Sequence, residues 1–215
     1  MQKIYAFSGL GADKRAFSKL DFSGFEVVYI DWIEPRTSEG FESYVYRLAE
    51  HYQVPKQGAY VIGVSFGGIC IAELAKFYDF KKIVLISSAK TKSELPKLYK
   101  LSKLIPFHKW IPEKQGNRVT FIHYWLFGAQ TMEEKEILAE IIQDTDVHFL
   151  KWAMDKIVHW ENTTGPKNCL HIHGNADRII PIRNVDYSIK IERGGHLMVW
   201  NKAAEISFHI LNYFL

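Results

Sequence analysis

Cysteine is nearly absent: Cys70 and Cys169 are the only two among 215 residues. A disulfide-stapled scaffold is thereby excluded, and both side chains read as small buried hydrophobes. No apolar run approaches the ~20 residues of a membrane-spanning helix, so no span is expected. Neither sign of charge dominates. Lys and Arg number 27 against 24 Asp and Glu, a net charge of +3. A nucleic-acid binder concentrates its basic residues in one stripe. Here the densest basic stretch, 90–109, scatters six Lys among Leu, Ile, Phe and Trp, the spacing of the wet face of amphipathic helices. No nucleic-acid partner is expected. The amino terminus lacks the basic, apolar and small-residue series of a signal peptide, and the expected location is cytoplasmic. Internal repeats, low-complexity runs and flexible linkers are also missing.

What remains is a chain that is 47% hydrophobic and 14% aromatic. At this length one core can bury roughly 70% of the unfolded surface. A single domain over 1–215 is expected. Short apolar runs alternate with longer helical patterns, the rhythm of a parallel sheet with helices on both faces. Strands are expected at 3–7, 26–30, 60–64, 82–86, 169–173 and 187–192. Several are too apolar to alternate, which fits strands covered on both sides. Helical periodicity runs over 38–52, from 67 to about 78, and over 202–214. The stretch 90–165 breaks the alternation. It carries no strand pattern but several helical ones, including a capping box at Thr131 and Glu134 and a helix over 147–160. It reads as an inserted helical lid over the carboxyl ends of the strands.

The strongest chemical signal is Gly63-Val64-Ser65-Phe66-Gly67-Gly68, directly after one expected strand and before a helix. This is the strand–turn–helix setting of G-x-S-x-G, in which a serine stands on a sharp, strained turn. Small neighbours at Gly63 and Gly67 let adjacent chain approach. The amide end of the following helix favours negative charge developing at Ser65. Such a nucleophile needs a base to take its proton and an acid to orient the base. His173-Gly174-Asn175-Ala176-Asp177 follows the fifth strand, and Gly194-Gly195-His196 follows the sixth. Both lie at carboxyl ends of strands, where ligands sit in open α/β sheets. Ser65, Asp177 and His196 are the expected nucleophile, acid and base.

On these motifs, in this order, the chain resembles a small, lid-bearing α/β-hydrolase along nearly its whole length outside 90–165. The resemblance implies an α/β fold with six strands in the order 2-1-3-4-5-6. It also implies that Phe7-Ser8-Gly9-Leu10-Gly11 is the oxyanion loop, with the backbone amides of Leu10 and Phe66 as donors. Ser8 stands where many members carry His. Two further amino-terminal strands common in the family have no room here. The connection between acid and base is also too short for the usual helix, since Pro181 to Val185 interrupts it.

Competing readings are weaker. Gly9-Leu10-Gly11-Ala12-Asp13-Lys14 starts like a dinucleotide fingerprint, with Asp31 ending the next strand, but Lys14 replaces the third glycine. The Ser65 turn lacks the Gly-Lys-Ser/Thr of a P-loop. His171-Ile172-His173 with Asp177 suggests zinc, yet Asn175 and Ala176 supply no further ligand, so no metal is expected. The expected chemistry is acyl transfer to water without a cofactor, on small-molecule esters or thioesters of small to medium apolar acids. Carbon–carbon hydrolysis, perhydrolysis, lyase chemistry or a non-catalytic receptor remain open on the same residues. Trp110, His123, Trp125 and Trp152 are the expected pocket wall. Nothing in the sequence favours monomer over homodimer.

Overall fold

The computed structural model describes residues 1–96, 99 and 118–215. Most of the basic stretch and the pocket candidate Trp110 lie outside the described residues. Six strands form one sheet: β1 (Gln2–Phe7), β2 (Phe25–Ile30), β3 (Tyr60–Val64), β4 (Lys82–Ile86), β5 (Cys169–Gly174) and β6 (Ile189–Ile191). Their order is β2-β1-β3-β4-β5-β6, as the resemblance implied. Every neighbouring pair is parallel.

Successive side chains of a strand point to opposite faces, and this alternation divides the core in two. Tyr5, Phe7, Val61, Ile83 and Leu85 face one cluster. Ile4, Ala6, Ile62, Val84 and Ile86 face the other. On the first face lie α1 (Phe41–His51), α2 (Phe66–Leu74) and α5 (Val147–Val158), through residues such as Leu48, Ile69 and Phe149. On the second lie the short α6 (Met198–Asn201) and the last helix, α7 (Ala203–Phe214). That helix buries Ala203, Ile206, Ile210 and Phe214, a three- and four-residue stripe.

Packing, not propensity, orders α2. All nine of its residues are buried. Its Gly67 and Gly68 cost about 1 kcal/mol each as helix formers. Burying Phe66, Ile69, Ile71 and Leu74 gains roughly 1.5–3 kcal/mol each and outweighs that.

Between β4 and β5 the described residues form α3 (Phe121–Phe127), α4 (Met132–Asp144) and α5, with no strand. The Thr131 capping box closes in both directions: Thr131 Oγ1 accepts from Glu134 N at 3.2 Å, and Glu134 Oε2 from Thr131 N at 3.1 Å. The link from β5 to β6 has no α-helix, only a 3-10 turn at Ile182–Asn184. It still returns the chain to parallel pairing, Ile172 beside Ile189. Strand β6 has three residues, shorter than the expected 187–192, because the chain turns into the glycines that follow. Among the described residues no helix is long and apolar enough to cross a membrane.

Candidate active site

The carboxyl ends of β3, β5 and β6 converge on one point. Ser65 ends β3 with φ 51° and ψ −117°, a backbone that a residue with Cβ adopts only under strain. Its surroundings over-determine it. Ser65 N donates to Ile86 O at 2.9 Å, and Ser65 O accepts from Gly68 N at 3.0 Å and from Ser88 Oγ at 2.6 Å. Glycine is required at both flanks. A Cβ on Gly63 would stand 2.6 Å from Gly68 Cα, and one on Gly67 would stand 2.2 Å from Phe7 O.

His196 Nε2 lies 2.9 Å from Ser65 Oγ, and its Nδ1 lies 2.8 Å from Asp177 Oδ2. The other carboxylate oxygen, Oδ1, accepts from the amides of Ile179 and Ile180, both at 2.9 Å. Burial opposes ionisation of Asp177, but the imidazole of His196, the Ile180 amide and His173 together hold its pKa below the usual carboxylate value. A row of hydroxyl, imidazole and carboxylate results, with the last two 5% exposed.

Two glycines bring the loops that carry Asp177 and His196 into contact. A Cβ on Gly174 would lie 2.1 Å from Gly194 O, which itself accepts from Ala176 N at 2.9 Å. Gly174 and Gly194 were visible in the sequence only as neighbours of the expected acid and base. Their mutual contact is a property of the fold.

The amides expected to bind an oxyanion border the same point. A Cβ on Gly9 would stand 3.7 Å from Ser65 Cβ, so the loop before Leu10 runs beside the Ser65 turn. Trp32 Nε1 donates to Gly9 O at 3.0 Å and Ser8 Oγ to Ala12 O at 2.6 Å, which fixes that loop. Phe66 is the first residue of α2, whose amide has no intrahelical acceptor.

These parallel strands, in this order and with these loops at their carboxyl ends, have counterparts among solved structures. An esterase from Thermogutta terrifontis superposes with a TM-score of 0.73 at 13% identity, covering 100% of this chain and 89% of its own. A bromoperoxidase from Bacillus anthracis gives 0.64 at 15%, covering 99% and 91%. The 2-hydroxy-6-oxo-6-phenylhexa-2,4-dienoate hydrolase from Rhodococcus sp. strain RHA1 gives 0.66 at 18%, covering 99% and 90%. All three share one architecture. The chain has the α/β-hydrolase fold. No protein-family model matches the sequence, and no curated protein does.

In this α/β-hydrolase fold a cavity of about 750 Å³ opens over Ser65 and His196. Its described wall is mostly aliphatic and aromatic, with Leu10, Phe127, Ile141, Met154 and Ile180 among the residues that form it. Of the three expected pocket residues that are described, His123 is part of that wall. Trp125 is not. It is 51% exposed on the outer side of α3, with Arg178 over its ring. Trp152 is not either. Its ring packs 4.3 Å from Tyr44, and its Nε1 donates to Glu39 O at 3.4 Å. Both corrections have one cause: aromatic composition placed these rings near the cleft, but helix rotation turned them to other partners. Phe127, which was not among the expected pocket residues, sets its ring edge-on to His196 at 5.4 Å.

The zinc candidates are engaged elsewhere. His173 Nε2 donates to Ile180 O at 2.8 Å, and His171 Nδ1 lies 3.2 Å from Asp186 O. Among the described residues no His, Cys, Asp and Glu group could hold a metal. Cys70 is buried and Cys169 half-buried, both unpaired. The expectation that both are buried therefore fails for Cys169, whose start-of-strand position leaves it partly open.

Proposed function

We propose that the chain is a serine hydrolase that cleaves carboxylic esters or thioesters of small to medium apolar acids. The observation that carries the reading is the unbroken row from Ser65 Oγ through His196 to Asp177 at the base of an apolar cavity. Ser65 Oγ attacks the substrate carbonyl while His196 Nε2 takes its proton. Asp177, ionised and held by two amides, keeps the proton of His196 on Nδ1 and stabilises the imidazolium. The carbonyl oxygen, now negative, takes hydrogen bonds from the amides of Leu10 and Phe66. His196 then protonates the departing alcohol or thiol. Water enters, gives its proton to His196, attacks the acyl carbon and restores the Ser65 hydroxyl as the acid leaves.

Each element has its part. The strained backbone at Ser65 presents the hydroxyl clear of the helix it starts. Helices α3 to α5, between β4 and β5, act as the lid. Phe127 shields one side of His196 from water, which strengthens the electrostatics inside. The cycle needs no cofactor, and the two unpaired cysteines agree with a reducing, cytoplasmic setting.

The test is turnover of p-nitrophenyl acetate and butyrate, with a thioester and a β-diketone for comparison. Ser65→Ala is expected to lower kcat by roughly 10⁴ or more with an unchanged circular dichroism spectrum, and to abolish labelling by a fluorophosphonate probe. Equal turnover by wild type and variant would refute the assignment. A wild type that neither turns over esters nor labels would favour a receptor role.

A further inference from the structure

The cavity over Ser65 is unbalanced in charge. Among the described residues its wall contains no Asp or Glu, and its one permanently charged side chain is Arg118. Arg118 makes no ion pair or hydrogen bond with any described residue. It is exposed while lining the cavity, which places it at the mouth. Five residues on, His123 lines the same cavity. Its Nδ1 accepts from Thr120 N at 3.0 Å, so the ring proton resides on Nε2 and is available as a donor. Of the other polar groups on the described wall, Thr145 Oγ1 is bound to Ile141 O at 2.8 Å, Thr120 Oγ1 lies 3.0 Å from His123 Nδ1, Ser65 and His196 are bound to each other, and the Tyr99 hydroxyl is uncharged. Among the described residues, this corner of an apolar chamber therefore carries a guanidinium and an imidazole N–H and no Asp or Glu.

We propose that this corner binds a free carboxylate at the far end of the acyl chain, so that the substrates are monoesters or monothioesters of aliphatic dicarboxylic acids. This rests on the serine-hydrolase reading and narrows it. A carboxylate entering an apolar cavity loses its hydration, and binds there only where a cation or donors replace the lost water. The planar fork of an arginine matches a carboxylate with two parallel hydrogen bonds. The largely aliphatic and aromatic described wall suits a methylene chain. His123 and Phe127 are one turn apart on α3, about 6 Å along its axis, and Phe127 lies against His196.

The experiment compares p-nitrophenyl hydrogen adipate, suberate and sebacate with p-nitrophenyl hexanoate, octanoate and decanoate at low ionic strength. For at least one length the wild type is expected to favour the carboxylated ester by about tenfold or more in kcat/KM, the range of a charge-assisted hydrogen bond. Arg118→Gln should bring that ratio to one or below, and Arg118→Lys should retain part of it. Added salt should shrink the preference, because the site is open to solvent. A wild-type ratio of one or less, in a protein that hydrolyses the neutral esters, would overturn the carboxylate proposal and leave the hydrolase reading standing. So would a preference that Arg118→Gln does not change. Absence of turnover on every ester, with no fluorophosphonate labelling of Ser65, would overturn both.

Discussion

Arg178 grips Trp125 in two ways: its guanidinium lies 4.7 Å from the ring centroid, and its Nη1 donates to the Trp125 carbonyl at 2.5 Å. Arg178 is the residue after Asp177, so this contact fastens α3 to the loop that carries Asp177. A second tie, Leu197 N to Phe127 O at 2.9 Å, fastens the same helix to the loop that carries His196. A seven-residue helix is too short to be stable alone, and these ties keep it beside the site.

The ring contact is exposed, where a cation–π pair contributes about 0.5–1 kcal/mol. A double-mutant cycle of Arg178→Ala and Trp125→Ala, read by urea denaturation, should give a coupling energy in that range. Strictly additive losses would show that the two side chains act independently.

Strain at Ser65 makes a separate prediction. Its φ of 51° is unfavourable for any residue with Cβ, at a cost of about 1–3 kcal/mol. Glycine relieves that strain but loses about 0.4–1 kcal/mol through greater freedom of the unfolded chain. Ser65→Gly should therefore be more stable than Ser65→Ala by about 1 kcal/mol, while both fail to label. Equal melting temperatures for the two variants would show that the turn stores no strain.

Acid should weaken the fold before its carboxylates titrate. Burial, with His173 beside it, pushes His171 down to about 3. Burial pushes His173 down as well, against the opposing influence of Asp177 and the Ile180 carbonyl. Unfolded imidazoles titrate near ~6.5. A group whose folded pKa is depressed contributes stability that is complete above the unfolded value and is lost as pH falls towards the folded one. Stability should thus decline below about pH 6.5, by up to about 1.4 kcal/mol per pH unit for each such histidine. Asp177, also depressed, adds its loss only at lower pH, below the usual carboxylate range. Urea midpoints at about pH 7 and pH 5 should separate for the wild type, and by less for His171→Gln, in which His173 still contributes. A wild-type midpoint constant across that interval would contradict a buried neutral pair.

Legibility in the sequence varied with the range of the cause. Strands β3 and β4 have the expected bounds, because each is an apolar run ended by glycine, serine or charge. The capping box of α4 was readable because its two partners are three residues apart. Helix α3 was harder. Its FIHYWLF is apolar or aromatic nearly all round, so no stripe marks which side faces inward. Phe121, Ile122 and Trp125 turn out to be exposed, while His123 and Phe127 line the cavity. Arg118 carries no local signal either, since an arginine beside a helix start is ordinary until a cavity is known to open there.

Local chemistry alone determined which residue types stand at the ends of β3, β5 and β6, because strand, turn and helix signals act over a few neighbouring positions. Tertiary packing decided that Gly174 and Gly194 touch, that Trp125 and Trp152 turn from the cavity, and that Arg118 stands at its mouth. The direction of a side chain around a helix axis depends on what packs against that helix, and those partners come from residues distant along the chain.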